Sequence, residues 1–214
     1  MSRKLLLVAG PSGSGKSRLT RMAGAASISL DEFYRDHDFP DMPKSPLGIT
    51  DWDQVGSWDL EHAVHTLRML LDEGRAEVPM YDISISERIG TRFVECEDAK
   101  LIVAEGIFAL DTYQAVVERG IPARAIWLDR PRAANFSRRL LRDLKERRKP
   151  PGVLFRRGLA LYRDEPAKRE AALAAGFTPM SIRKALKLVE EAGLSPAESA
   201  RRPGRSGRAP RRAS

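Results

Sequence analysis

The stretch "KLLLVAGPSGSGKS", Lys4 to Ser17, constrains this chain more than any other. An unbroken apolar run of strand length precedes a Gly/Ser-rich octet, and "SRLTRMAG" behind it has the pattern of a short helix. The octet fits Gly-x-x-x-x-Gly-Lys-Ser, the spacing of a P-loop. Gly10, Gly13 and Gly15 permit a tight path that turns successive backbone N–H groups inward. With Ser12 and Ser14 in the same loop and a helix N-terminus behind it, the segment predicts an anion-binding nest. In such a nest the Lys16 ammonium reaches β- and γ-phosphates and the Ser17 hydroxyl binds Mg²⁺, so ATP or GTP with Mg²⁺ is the expected ligand. The plainer alternative is a Gly/Ser turn that only caps a helix. At ordinary glycine frequency, four fixed positions match a chain this long by chance on the order of once in a hundred. The strand before and the helix after make coincidence rarer still.

A chain of 214 residues predicts one domain with room for a lid or tail, and 42% hydrophobic residues suffice for a full core. The longest apolar runs are far too short to span a bilayer. "MSRKLLLVAGPSG" runs straight into the glycine-rich loop with no small-residue cleavage site, so it reads as a strand rather than a signal peptide. The single cysteine, Cys96, excludes an internal disulfide and a Cys-rich metal site, and His37, His62 and His65 lack zinc-type spacing. These bounds predict a soluble cytoplasmic protein that makes no membrane contact. The net charge of +8 invites a nucleic-acid reading, but six arginines in "RRPGRSGRAPRRAS" account for all but two of those charges. That composition cannot bury a core and predicts a disordered tail over 197–214. Such a tail binds polyanions weakly or serves as a plain solvated terminus. It has no interleaved aromatics on which bases would stack.

Along the chain, "SISLDEFY" predicts a second strand ending in an acidic, aromatic turn, and residues 36–56 predict a long ordered loop. Ser57 is expected to cap a helix over "WDLEHAVHTLRMLLDEG", which Gly74 stops. "AEVPMYD" and "TRFVE" predict a hairpin joined by "ISISERIG". "AKLIVAEGIFAL" predicts a buried strand that delivers Glu105 at its C-terminal end, and "ARAIWLD" a strand ending in Asp129. Strands alternating with helices imply a parallel sheet whose ligands lie at the carboxyl ends of its strands, where Gly10, Asp31 and Glu105 all fall. From Pro131 the chain reads as helical, with Arg138, Arg139 and Arg142 sharing roughly one face. That face is either a solvated one laced with ion pairs or a lid that closes over phosphates.

With those segments in order, the sequence resembles the uridine kinase family of P-loop nucleoside kinases over roughly residues 3–150. The resemblance rests on "GPSGSGKS", "LDEFYRD", "DWDQVGSWD", "PMYDISISER", "AEGIFAL" and "SRRLLRDLKERRK". It implies an α/β P-loop kinase fold: a parallel sheet flanked by helices, with an Arg-rich helical lid at about 131–163 inside a kinase domain of 1–196. It implies that Asp31 is the base for a nucleoside 5′-hydroxyl and lies near the metal, a role that competes with a simple turn cap. By the same resemblance Asp53 hydrogen-bonds ribose hydroxyls beside Trp52, and Tyr34, Tyr81 and Arg88 belong to the acceptor side. Glu105 and Ser17 hold Mg²⁺, and Arg139, Arg142 and Arg147 are lid arginines that neutralise transition-state charge.

Two departures stand out. Ile83 and Ser86 occupy positions where the family carries a Phe and a His that read the pyrimidine. The family's last apolar strand is matched only by "GFTPMS", which leaves the adenine contacts unassigned. The expected activity is transfer of the γ-phosphoryl group of ATP to a nucleoside, uridine or cytidine first. A pantothenate- or phosphoribulokinase-like acceptor is the alternative within the class, and an NTP-binding regulator with a nucleic-acid-binding tail is the alternative outside it. A homo-oligomer is compatible with everything in the sequence.

Overall fold

The computed structural model describes residues 3–46, 48–131, 133, 135–137 and 151–192, with backbone alone at 17, 25, 151–158, 160 and 161. In chain order the strands and α-helices are β1 (Lys4–Ala9), α1 (Lys16–Ala23), β2 (Ser27–Ser29), α2 (Leu60–Asp72), β3 (Arg75–Asp82) and β4 (Glu87–Glu95). There follow β5 (Leu101–Glu105), α3 (Ala109–Glu118), β6 (Ala123–Asp129), α4 (Pro151–Ala174), β7 (Thr178–Ser181) and α5 (Ile182–Glu191).

Five of the six β1 residues are buried, because β1 is the middle of a five-stranded sheet in the order β2-β5-β1-β6-β7. Every pairing in it is parallel, with Leu5 opposite Ile102 on one side and Ala123 on the other. A strand covered on both faces needs a continuous apolar run rather than an alternating one, and "LLLVA" supplies it. Leu6 and Leu7 are fully buried, and truncating either to alanine would cost roughly 2–5 kcal/mol. The chain leaves β1 for the edge strand β2, returns through β5 and then crosses to β6 on the far side. The carboxyl ends of β1, β5 and β6 therefore flank the point where the strand order reverses, which is where open α/β sheets bind ligands.

The expected strand over "SISLDEFY" is shorter in the structure. It ends at Ser29, and Leu30–Phe33 turns into a 3₁₀ helix. Ser29 pairs with Glu105, the last residue of β5, so no ladder partner remains beyond it. The expected cap at Ser57 is also corrected. Ser57 sits in a 3₁₀ turn and donates its hydroxyl to Trp52 O and Gln54 O, whereas Asp59 caps α2 by accepting the His62 N–H at 3.1 Å. Gly74, at φ +78°, ends that helix as expected. Arg3 donates to the α2 carbonyl of Leu71 and to Glu97 O, tying the helix end to the loop before β5.

The hairpin forms, with β4 beginning at Glu87 instead of Thr91. It stands apart from the main sheet as a two-stranded ribbon. "TPMS", within the weakly marked "GFTPMS", is the final strand: Ile126 to Asp129 of β6 pair with Thr178 to Ser181 of β7. Helix α4 runs unbroken past residue 163, the expected lid limit. Residues 138–150 and 193–214, which include the middle of the expected lid and the whole basic tail, lie outside the described residues.

Candidate active site

The loop between β1 and α1 has the backbone that its glycines permit. Gly10, Gly13 and Gly15 have φ of +147°, +88° and +115°, values that L side chains rarely adopt. Gly15 is the N-cap of α1, with no side-chain cap bond and no acidic residue in the first turn, so the helix start is left to an anion. The loop is also confined from two sides. A methyl on Gly10 would come within 3.1 Å of Leu128 Cβ, and one on Gly15 within 3.0 Å of Ile182 Cδ1. Ile182, first residue of α5, is a loop contact that sequence reasoning missed, because no motif marks it. Lys16 Nζ donates to Gly10 O at 2.6 Å, which lays the ammonium across the nest. Ser14 is buried, and its hydroxyl finds no hydrogen-bond partner among the described residues. Ser12 lies half-buried in the loop, and the Ser17 side chain is outside the described residues.

Two carboxylates converge on Lys16 from the adjacent strand ends. Asp31 stands in the 3₁₀ turn after β2 and Glu105 closes β5. Burial pushes both carboxyls up, and the Lys16 charge pulls both back. The Asp31 charge pushes Glu105 higher still, so the two acids feel one another. Asp31 Oδ1 also accepts the Ile107 N–H at 3.4 Å. Gly106 makes this approach possible, since a methyl there would lie 2.7 Å from Leu30 Cβ and 2.9 Å from Asp31 Oδ1. Two half-buried carboxylates beside a phosphate nest match the needs of Mg²⁺, a hard cation usually held by one or two carboxylates plus phosphate oxygens. Among the described residues no cluster of three or more His, Cys, Asp or Glu forms a dedicated metal cage.

The residues expected on the acceptor side gather next to Asp31. Tyr34 follows the turn, with Trp52, Tyr81 and Phe108 rings 5.7, 5.5 and 5.6 Å from its own. Its hydroxyl donates to Trp52 O at 3.2 Å. Burial raises the Tyr34 phenol pKa far above its usual value, and the charges of Asp31 and Asp53 add to the shift, so both acids lie near this ring. Asp53 is exposed, and its N–H donates to Asp51 Oδ1 while Gln54 donates to Asp51 Oδ2. Asp51 thus shapes the turn that presents Asp53, a role with no sequence signal beyond its residue type. Arg88 donates to Tyr34 O at 3.0 Å and to Asp59 Oδ2 at 3.2 Å, so its guanidinium ties the hairpin to the aromatic cluster and the start of α2. At the hairpin tip Ile83 is 72% exposed, and Ser86, at φ +57°, bonds to Tyr81.

Arg139, Arg142 and Arg147 lie outside the described residues. The base of that segment is visible. Arg169 of α4 grips the Asp129 carboxylate at 2.8 Å, and Asn135 donates to Glu165 at 3.2 Å. A cavity of about 680 Å³ opens there, lined by Asp129, Arg130, Pro131, Glu165, Pro166 and Arg169.

A family model described as Phosphoribulokinase / Uridine kinase family matches residues 5–151, which span the nest, both carboxylates and the hairpin. The chain belongs to that family. A uridine kinase of Deinococcus deserti is 30% identical over 177 residues, 77% of this chain and 83% of the relative. One of Clostridium botulinum, strain Okra, is 28% identical over 185 residues, 80% of this chain and 87% of the relative. A solved structure of a proposed fructose-transport-system kinase from Silicibacter sp. shares the fold at TM-score 0.52, with 19% identity over 83% of this chain and 87% of the other.

As a member of the phosphoribulokinase/uridine kinase family, the chain is a phosphotransferase with a hydroxyl acceptor, and its phosphoryl donor is ATP. The P-loop kinase fold inferred from the motif order is the fold observed. No helix among the described residues is long and apolar enough to cross a membrane.

Proposed function

We propose that this chain transfers the γ-phosphoryl group of ATP to the 5′-hydroxyl of a nucleoside, with uridine and cytidine as first acceptors. The observation that carries this reading is the placement of Asp31. It stands between the phosphate nest, through its electrostatic link to Lys16, and the aromatic wall of Tyr34, Trp52 and Tyr81. The α1 N-terminus and Lys16 hold the β- and γ-phosphates. Asp31 accepts the proton of the acceptor hydroxyl as its oxygen bonds to the γ-phosphorus, and the bond to the β-phosphate oxygen breaks to release ADP. Asp53 hydrogen-bonds the acceptor's vicinal hydroxyls. Mg²⁺, held by Glu105, Asp31 and the Ser17 hydroxyl, would neutralise charge on the phosphates. The lid arginines Arg139, Arg142 and Arg147 would close from the far side.

A second reading draws on the hairpin tip. Exposed Ile83 and a Ser86 engaged with Tyr81 replace a stacking ring and a base-reading imidazole, which favours a small alcohol without a pyrimidine. Turnover of labelled ATP against a panel of nucleosides and small polyols separates the two. Uridine or cytidine should give the highest kcat/KM on the first reading, and a non-nucleoside alcohol outrunning both would replace it.

A further inference from the structure

The hairpin packs along the catalytic turn through β3, and two arginines of β4 bond to the turn and its end. Arg88 holds the far end of the turn by the Tyr34 carbonyl. Arg92, four residues on, places Nη2 2.8 Å from Glu32 Oε2 and Nε 3.4 Å from Oε1. Such a two-pronged, planar grip fixes orientation as well as distance. Glu32 directly follows Asp31 in the 3₁₀ turn Leu30–Phe33. With about three residues per turn, consecutive side chains in a 3₁₀ helix diverge by about 120°. Glu32 therefore faces the hairpin when Asp31 faces Lys16 and Gly106, and a rotation of the turn that frees one carboxylate swings the other.

We infer that Arg92, acting through Glu32, is a positioning residue for Asp31, so that the acceptor-side hairpin and the catalytic base move as one unit. This rests on the proposed role of Asp31 as the base. The pair is partly exposed, with side chains 38% and 24% accessible, so it adds little to stability. Its effect falls on geometry, where a displacement of about 1 Å costs on the order of a hundredfold in rate. The two residues are 60 positions apart, and neither belongs to the donor nest.

The test compares Arg92→Ala, Arg92→Lys, the charge swap Glu32→Arg/Arg92→Glu, and Asp31→Asn. Each is assayed on the best acceptor of the panel, together with hydrogen exchange of the peptide covering 30–36. Arg92→Ala should lower kcat by about ten- to a hundredfold, leave KM for ATP within about twofold and speed exchange over 30–36. Arg92→Lys, which keeps the charge but loses the fork, should fall between. The swap should recover most of the lost kcat. Wild-type kcat in Arg92→Ala, or unchanged exchange over 30–36, overturns the inference, as does a rate loss that tracks a fall in Tm and is not recovered by the swap. If Asp31→Asn is fully active, the base assignment fails instead, and the exchange measurement still reads the coupling of hairpin to turn.

Discussion

Trp58 donates its indole N–H to the carbonyl oxygen of Leu30 at 2.6 Å, inside the core and one residue before Asp31. The indole is 1% exposed, stacks on Phe108 at 4.9 Å and meets Phe33 edge-on. The start of α2, the Asp31 turn and the segment after β5 are thereby pinned to one side chain. Replacing Trp58 with Phe keeps much of the apolar contact but strands the Leu30 carbonyl. A loss of about 1–3 kcal/mol is expected, read from urea unfolding. A fall in kcat should accompany it.

Gly106→Ala asks whether the close approach of β5 to the turn matters. The added methyl would overlap Leu30 Cβ, so the turn must shift by several tenths of an ångström. The fold should survive, because the strand ladder ends at Glu105. Activity should drop at least tenfold, on the order expected for a misplaced reacting group. Circular dichroism with steady-state kinetics reads both.

Asp31→Asn and Asp53→Asn should separate chemistry from acceptor binding. The first keeps size but cannot take the acceptor's proton, and loss of a general base is worth about 10²–10⁴ in rate. ATP should still bind, measured by calorimetry. The second should raise the acceptor KM through lost charge-assisted bonds and leave kcat closer to normal.

Asp59 carries the clearest pH dependence of stability. Burial works to raise its pKa, but the His62 N–H and the Arg88 guanidinium prevail and hold it below the usual carboxylate value. A carboxyl with a depressed folded pKa contributes stability above its unfolded pKa and loses it as pH falls through the folded one. Asn caps a helix about as well as Asp, so Asp59→Asn removes chiefly the charge paired with Arg88. The variant should be roughly 1 kcal/mol less stable at neutral pH. Urea midpoints should show the gap narrowing as pH falls below the ordinary Asp pKa of about 3.9.

Legibility from sequence followed the range of each interaction. The β1–loop–α1 unit was readable because its chemistry lies within fourteen consecutive residues. Glu105 and Asp129 were readable as polar residues ending apolar runs. Ser57 and Asp59 are both good capping residues, and only tertiary pairing decides between them: Asp59 N–H donates to Phe33 O while Ser57 is drawn into its own turn. "TPMS" lacks a strand's apolar run because β7 is an edge with exposed residues. Arg92 to Glu32 and Ile182 to Gly15 join residues far apart in the chain, and no local pattern announces them.

The central place of β1 bears on how the chain is made. Leu5 has for neighbours Ile102 and Ala123, each about a hundred residues further on. At ordinary synthesis rates that interval is roughly 5–20 s. Throughout it "LLLVA" has no sheet to join, and an unpaired apolar strand of this kind is the aggregation-prone species of slow parallel folds. The same five residues that later carry the glycine-rich loop are thus an apolar liability while the chain is being made.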